Sequence, residues 1–407
     1  MAQSAPVSER ELSFARLIST SITARIIVDT GVQLFNPFLP LIAAGLGTSV
    51  VVMGRLVSLR SAMGLFSPVF GAAADRYGYR IVLRIGLLLS AAGMLAVGVS
   101  ASIWPAAIGM VVAGLGMAAF VPTLHAYLSA RLPYSRRGRG LGMLEYSWAL
   151  TGIFGLYLMG QLISAAGWRA PFFVLSAGLL IMAVVFGALP AARDPGSRPH
   201  TDRAAASSVS LSARALNFLR LGDNALSAYA AIGVSSFTHF AAVQLMIVYG
   251  AWFSAEYGLT ATQLGTVALI FGVFDLIASV SVSLFSDRIG KRRSVFIGSV
   301  GALAGYLLLP WLNTGATIAI LGVAVTRGLF EFSIVSCIPL LSEQVPTQRA
   351  KVMTLSSAIS LGAVTLANFI APALYAGYGI AVVAFTSAVA AAAGLALLLL
   401  FVREPES

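Results

Sequence analysis

A few ionisable and amide side chains sit in stretches of this sequence that are otherwise apolar, and chemistry is to be sought there. Arg25, Asp29, Gln33 and Asn36 follow one another at intervals of 4, 4 and 3 residues, which puts them on one face of a helix. Arg60, His239, Asp275, Arg327 and Glu331 stand in similar apolar surroundings. A charge in hydrocarbon costs about 2.5–3.5 kcal/mol on insertion scales, so each should face a cavity, a partner or a transported species. Asp29 is a candidate for carrying a proton or touching substrate. Its alternative is a fixed ion pair, with Arg25 one turn away or with Arg60 on another helix. Arg327 and Glu331, one turn apart, are spaced to pair with each other. Asp275 has Ser279 one turn on but no basic partner on its own helix, which makes it the better candidate for titration or for a cationic group. His239, one turn after Ser235, could titrate near neutrality or be a packed, hydrogen-bonded residue. His125 has the same two readings, with the emphasis on packing.

The background against which these residues stand out is apolar. The chain has 407 residues, 58% hydrophobic and only 10% charged, with a mean hydropathy of +0.90. An ordinary soluble domain carries about 25% charged residues, so a soluble globular chain is excluded. A helix needs about 20 apolar residues to cross a hydrocarbon core of about 30 Å. Twelve such runs are expected, the first at about 18–44 and the last at about 378–402. Asp29 then lies about 17 Å along the first helix, near the midplane. The one long polar interval, 191–216, is rich in Arg, Ser, Ala and Pro and separates six runs from six. The expected organisation is an N-terminal six-helix bundle over 1–190, a cytoplasmic linker over 191–216 and a C-terminal six-helix bundle over 217–407.

Charge placement gives the expected orientation. There are 26 Lys and Arg against 15 Asp and Glu, for a net charge of +11. With both termini cytoplasmic, 21 of the 26 basic residues fall on the cytoplasmic side and only Arg169 in an outer loop. This bias fits the positive-inside rule and a multi-pass protein of a bacterial inner or plasma membrane. The basic surplus then faces an anionic inner leaflet and not a nucleic acid. The single cysteine, Cys337, excludes a disulfide within the chain and a multi-Cys metal site. Glu9, Arg10 and Glu11 precede the first apolar run, so no cleaved signal peptide is expected.

The halves are linked by a repeat. GAAADRYGYR at 71–80 recurs as SLFSDRIGKR at 283–292, 212 residues on, and Pro133 and Arg136 recur as Pro346 and Arg349, 213 residues on. Two homologous bundles suit a transporter better than a channel subunit or an intramembrane enzyme. These loops resemble those of the major facilitator superfamily, whose loop between helices 2 and 3 reads roughly G-x-L-A-D-R-x-G-R-R-x-x-L. Gly71, Asp75, Arg76, Gly78, Arg80 and Leu83 match, while Ala73 and Tyr79 depart. In the second half Asp287, Arg288, Gly290, Lys291 and Arg292 match, and Ser283 replaces the leading Gly.

The resemblance implies an all-α membrane fold of twelve transmembrane helices in two pseudo-symmetric six-helix bundles. It also implies that Asp75 and Arg76 latch the halves in an outward-facing state. In that family a Glu shortly before the loop 10/11 Arg meets basic residues of the preceding repeat loop, as Glu343 with Arg349 would. The first-half counterpart of Glu343 is Ala130, so Glu145 is expected to supply the missing counter-charge to Arg76 or Arg80. Two features of proton-coupled drug antiporters are absent. Met110 stands where an Arg is usual in span 4, and Leu156 where a Pro is usual in the glycine-rich run of span 5. Gly152, Gly155 and Gly160 remain and permit close helix contact.

No phosphate-binding loop of the form G-x-x-x-x-G-K-[ST] and no H-E-x-x-H occurs. An enzyme or an ATP-driven pump is therefore not expected, nor a bound cofactor. The expectation is a monomeric secondary transporter, coupled to a proton gradient with sodium left open, that exports a small organic or amphipathic molecule by alternating access. The alternative is proton-coupled uptake of an organic anion, since Arg can bind carboxylates bidentately. A receptor or scaffold that does not transport is a third reading.

Overall fold

The computed structural model describes residues 14–132, 134–188, 220–222 and 224–404, apart from the side chains of Ala15, residues 134–139, Leu141 and Asp287. The interval 191–216, read above as a linker, lies outside the described residues. All regular secondary structure among the described residues is helical. Among the described residues eleven helices are long and apolar enough to cross a membrane, or twelve with a bent pair counted as one span.

Span 1 is that pair, Phe14–Gln33 followed by Phe35–Gly45, bent by 53°. Spans 2 to 6 are Val50–Tyr77, Tyr79–Val99, Ile103–Arg131, Gly142–Ala166 and Ala170–Ala188. Spans 7 to 12 are Ala225–Tyr257, Ala261–Ile289, Lys291–Leu312, Ala316–Glu343, Arg349–Tyr378 and Ile380–Leu400. Six and six form the two bundles of the expected fold. The repeat is visible in the backbone. The turns after spans 2 and 8 are made by Gly78, at φ 93° and ψ 145°, and by Gly290, at φ 96° and ψ 141°. A side chain at either position would be strained, which is why both copies of the loop keep glycine there.

The bend in span 1 has an identifiable cause. Pro37 and Pro40 lack the N–H groups that would bond the carbonyls of Gln33 and Asn36. Arg60 enters from span 2 and donates from Nη1 to Gly31 O at 3.0 Å and from Nη2 to Val32 O at 2.9 Å. Its guanidinium also lies over the Phe35 ring at 4.7 Å. One buried side chain thus supplies donors to a stretch of backbone at the bend.

The bundles meet along three lines: span 2 on span 11, span 5 on span 8, and the second helix of span 1 on span 7. The line between spans 5 and 8 is close-packed. A Cβ on Gly152 would come within 2.9 Å of Ala268 O, and one on Gly272 within 2.7 Å of Ala149 O. Glycine at these positions lets two backbones touch, as is common where helices pack in lipid. Span 5 carries a π-helical turn at Thr151–Leu156 beside this contact. That irregularity falls on the segment where Leu156 stands in place of proline. At the end of the molecule that holds the termini, the helix Ser67–Tyr77 packs on spans 3 and 4 of its own half. The close backbone approaches of Gly250 to Pro37 and of Gly160 to Gly265 lie in the parts of their spans remote from Phe14 and Glu404, so the halves are joined on that side.

Candidate functional site

Three members of the polar stripe of span 1, Arg25, Asp29 and Gln33, are buried and bonded to protein groups, and Asn36 is partly buried. Arg25 donates from Nε to both oxygens of Asp29 at 2.9 Å, and Ser147 of span 5 donates to Asp29 Oδ2 at 3.0 Å. Arg60 is not the partner of Asp29; both of its bonded nitrogens go to backbone carbonyls. Gln33 Nε2 donates to Trp148 O at 3.4 Å.

Two further residues extend this pair towards solvent. Arg25 Nη1 lies 3.1 Å from His125 Nε2, and His125 Nε2 lies 3.4 Å from Glu145 Oε1. Side-chain exposure falls along the series, from 54% at Glu145 and 38% at His125 to 10% at Arg25 and 3% at Asp29. The expectation that Glu145 balances Arg76 or Arg80 is corrected here, because its partner is His125. His125, read mainly as a packing residue, stands at the junction. Ser147 was missed, although Ser147 and Thr151 at helical spacing on an apolar span were a usable signal.

The second half has its own buried pair, and it differs from the spacing argument. Arg327 donates from Nε to Asp275 Oδ1 and Oδ2 at 2.9 Å and from Nη2 to Oδ2 at 2.7 Å. Arg327 Nη1 also points at Met246 Sδ, 2.6 Å away. Asp275 is thus not the free carboxylate of this half, and Arg327 does not pair with Glu331. Glu331 accepts from Ser279 Oγ at 3.3 Å and forms no ion pair among the described residues. A bidentate guanidinium–carboxylate pair outcompetes a single contact one turn along the helix. His239 Nδ1 donates to Ser235 O at 2.8 Å, and its ring meets Phe330 edge-on at 6.1 Å.

Between the halves, Gln33 and Asn36 of span 1 share a cavity with Tyr249, Phe271 and Arg327. Its volume is about 10 Å³, at the lower limit for one water molecule. Arg327 of the second pair lines this centre, as does Gln33 one turn along from Asp29, and it must open before an organic molecule could enter it.

The repeat loops lie at the end that holds the termini. Asp75 and Arg76 are exposed, Arg76 lies over the Tyr77 ring at 5.2 Å, and Asp75 has no hydrogen-bond or ion-pair partner among the described residues. Gly71 is partly exposed in the helix leading to this turn, and Arg80 is partly buried beside Tyr127. In the second copy, Lys291 Nζ meets Glu343 Oε1 at 2.5 Å. Arg292 Nη2 donates to the carbonyls of Leu398 and Leu399 at 3.2 Å, closing the end of span 12. Arg288 and Arg349 are exposed, and the side chain of Asp287 lies outside the described residues. The first copy has Tyr79 where Lys291 stands and Ala130 where Glu343 stands. Both members of that ion pair are missing there. The N-terminus of span 9 is capped by the Glu404 carboxylate, which accepts from Lys291 N at 3.0 Å.

Comparison with known proteins agrees with this architecture. The sequence model of the Major Facilitator Superfamily matches residues 22–251 and 226–407, and the chain belongs to that family. Members of the family are transporters of small molecules and not enzymes. The chain is 28% identical over 286 residues, 70% of each protein, to the uncharacterised MFS-type transporter YceJ of Bacillus subtilis. It is 24% identical to the MFS-type transporter YwfA of the same organism, over 94% of this chain and 92% of that one. It is 25% identical to the multidrug resistance protein MdtG of Serratia proteamaculans, over 68% of this chain and 67% of that one. Among solved structures, a D-xylose-proton symporter superposes with a TM-score of 0.77 at 16% identity, covering 95% of this chain and 97% of that one. At that identity the likeness speaks for the fold alone.

Proposed function

We propose that this family member is a proton-coupled antiporter that exports a small organic or amphipathic compound by alternating access. Its basic end, with both termini, faces the cytoplasm and an anionic leaflet, and the protein works as a monomer. In that orientation the halves are joined on the outer side, so the arrangement is not the outward-facing one, and a latch at Asp75 is not made.

The observation that carries the reading is the position of His125 Nε2, within reach of both Arg25 and Glu145. With Nε2 unprotonated, its lone pair accepts a hydrogen bond from Arg25 and nothing is donated to Glu145. With Nε2 protonated, it donates to the Glu145 carboxylate and presents an N–H to Arg25, which is also a donor. A proton on His125 therefore exchanges one partner for the other and weakens the hold on Arg25, which binds Asp29. Glu145 and His125 are the exposed members of the series, where such a proton can arrive from water. Glu331, held by one hydroxyl, is the corresponding titratable group of the second half.

Export of an organic compound is supported by the relation to MdtG, whose name denotes multidrug resistance. Uptake of an organic anion has less support, because Arg25, Arg60 and Arg327 are all engaged by protein groups. The test is proton release or uptake by the purified protein on addition of each member of a panel of amphipathic compounds. His125→Gln, Glu145→Gln and Glu331→Gln should each alter the number of protons exchanged. Identical proton counts in wild type and all three variants would remove the basis for the assignment.

A further inference from the structure

The two lines that join spans 2 and 11 and spans 5 and 8 are related by the repeat, but beyond the close approach of Gly54 to Pro372 and Asn368 O they are not packed alike. Spans 5 and 8 touch backbone to backbone through Gly152 and Gly272. Spans 2 and 11 are pinned by Ser58 Oγ donating to Thr365 O at 2.7 Å and Asn368 Nδ2 donating to Ser61 Oγ at 3.3 Å. Beside these bonds a cleft of about 450 Å³ is left, lined by Ala62, Leu65, Leu361, Gly362, Leu366 and Phe369 among others. That volume is within the range of sites that hold small ligands. Leu65, Leu366 and Phe369 are exposed, and they continue into the exposed apolar side chains of Leu59, Phe66 and Val69. The cleft therefore opens on the lipid-facing side of the molecule, away from the Arg–Asp pairs.

Arg55 stands at one end of this cleft. It is exposed, lies over the Phe369 ring at 5.5 Å, and has no carboxylate partner among the described residues. Five residues into span 2, it is about 8 Å from the helix end, while Leu65 is about 22 Å from it. At that depth an exposed guanidinium with no protein anion extends to the headgroup layer, where lipid phosphates are the anions within reach. The charge and the groove together describe an anionic amphiphile, with its head at the membrane surface and its chain running inward beside the protein.

We propose that this seam is a binding site for an anionic phospholipid of the leaflet remote from the termini. Its phosphate pairs with Arg55 and one acyl chain fills the cleft between spans 2 and 11. Arg55 recognises the phosphate, bidentately where geometry allows, and the apolar walls recognise the chain. Because the lipid touches both bundles on the joined side, it stabilises the arrangement described here over one in which that side is open.

The test is retention of lipid by the full chain taken from vesicles of phosphatidylglycerol and phosphatidylcholine in equal amounts, read by native mass spectrometry. Wild type should retain phosphatidylglycerol in preference to phosphatidylcholine. Arg55→Gln should reduce that preference about fivefold, the worth of one basic side chain near an anionic lipid surface. Arg55→Lys should keep most of it. Gly362→Phe, where an added Cβ meets nothing within 4 Å, should fill the cleft and displace both lipids. Equal retention of the two lipids by wild type would overturn the proposal, as would retention by Gly362→Phe at the wild-type level. Should Arg55→Gln fail to fold, wild type and Gly362→Phe still decide the matter.

Discussion

Arg327 grips Asp275 of span 8 through both carboxylate oxygens, although Glu331 lies one helical turn from it on its own span. The choice matters energetically, since both members of the pair are buried and neither could be left alone without cost. Asp275→Asn should destabilise the protein by about 3–5 kcal/mol, because it leaves a buried guanidinium uncompensated. Replacing both residues by apolar ones, as in Asp275→Leu with Arg327→Met, should restore much of that loss. Thermal unfolding in detergent measures both, and a double variant less stable than either single one would contradict the assignment.

Glu331 should behave differently. Its only hydrogen bond described is the one from Ser279, so Glu331→Gln should leave the melting temperature close to that of wild type. The same substitution should remove about one proton from the exchange on compound binding, read by titration in weakly buffered solution.

Arg60 serves the backbone of the bend in span 1. Arg60→Met should leave the Gly31 and Val32 carbonyls without these donors, at about 1–3 kcal/mol for each buried group left unsatisfied. Arg60→Lys should recover part of this, since an ammonium can reach one carbonyl but cannot reproduce the planar fork over Phe35. Unfolding midpoints of the two variants check the order wild type, Lys, Met.

The Lys291–Glu343 contact is partly exposed, so its worth to stability is small. Lys291→Gln or Glu343→Gln should shift unfolding by no more than about 1 kcal/mol. A larger shift in either variant would point to a role in joining elements that the exposure of the pair does not suggest.

Much of this was legible in the residues. Apolar runs and the 212-residue repeat announced the twelve spans and the two bundles, because the bilayer leaves a chain few alternatives. Helical spacing put Arg25 beside Asp29, a contact within one helix. It failed wherever the partner came from elsewhere. Spacing favoured Arg327 with Glu331, but a bidentate partner in span 8 prevailed. Glu145 was assigned by the logic of the repeat to a loop arginine, yet it faces His125 across two spans. The bend at Leu34 could be suspected from Pro37 and Pro40, but nothing local announced that Arg60 would serve it. Contacts between helices depend on rotation and tilt, which a single apolar run does not specify.

The coupling proposed above joins a proton on His125 to movement of an organic compound. The most direct measurement is accumulation of fluorescent amphipathic compounds, driven by an imposed pH gradient, in proteoliposomes containing wild type, His125→Gln or Glu145→Gln. Wild type should accumulate compound against its gradient and lose this ability with a protonophore. Both variants should keep downhill exchange but lose the uphill response. Uphill transport that follows a sodium gradient and ignores pH, or that survives unchanged in both variants, would contradict the account.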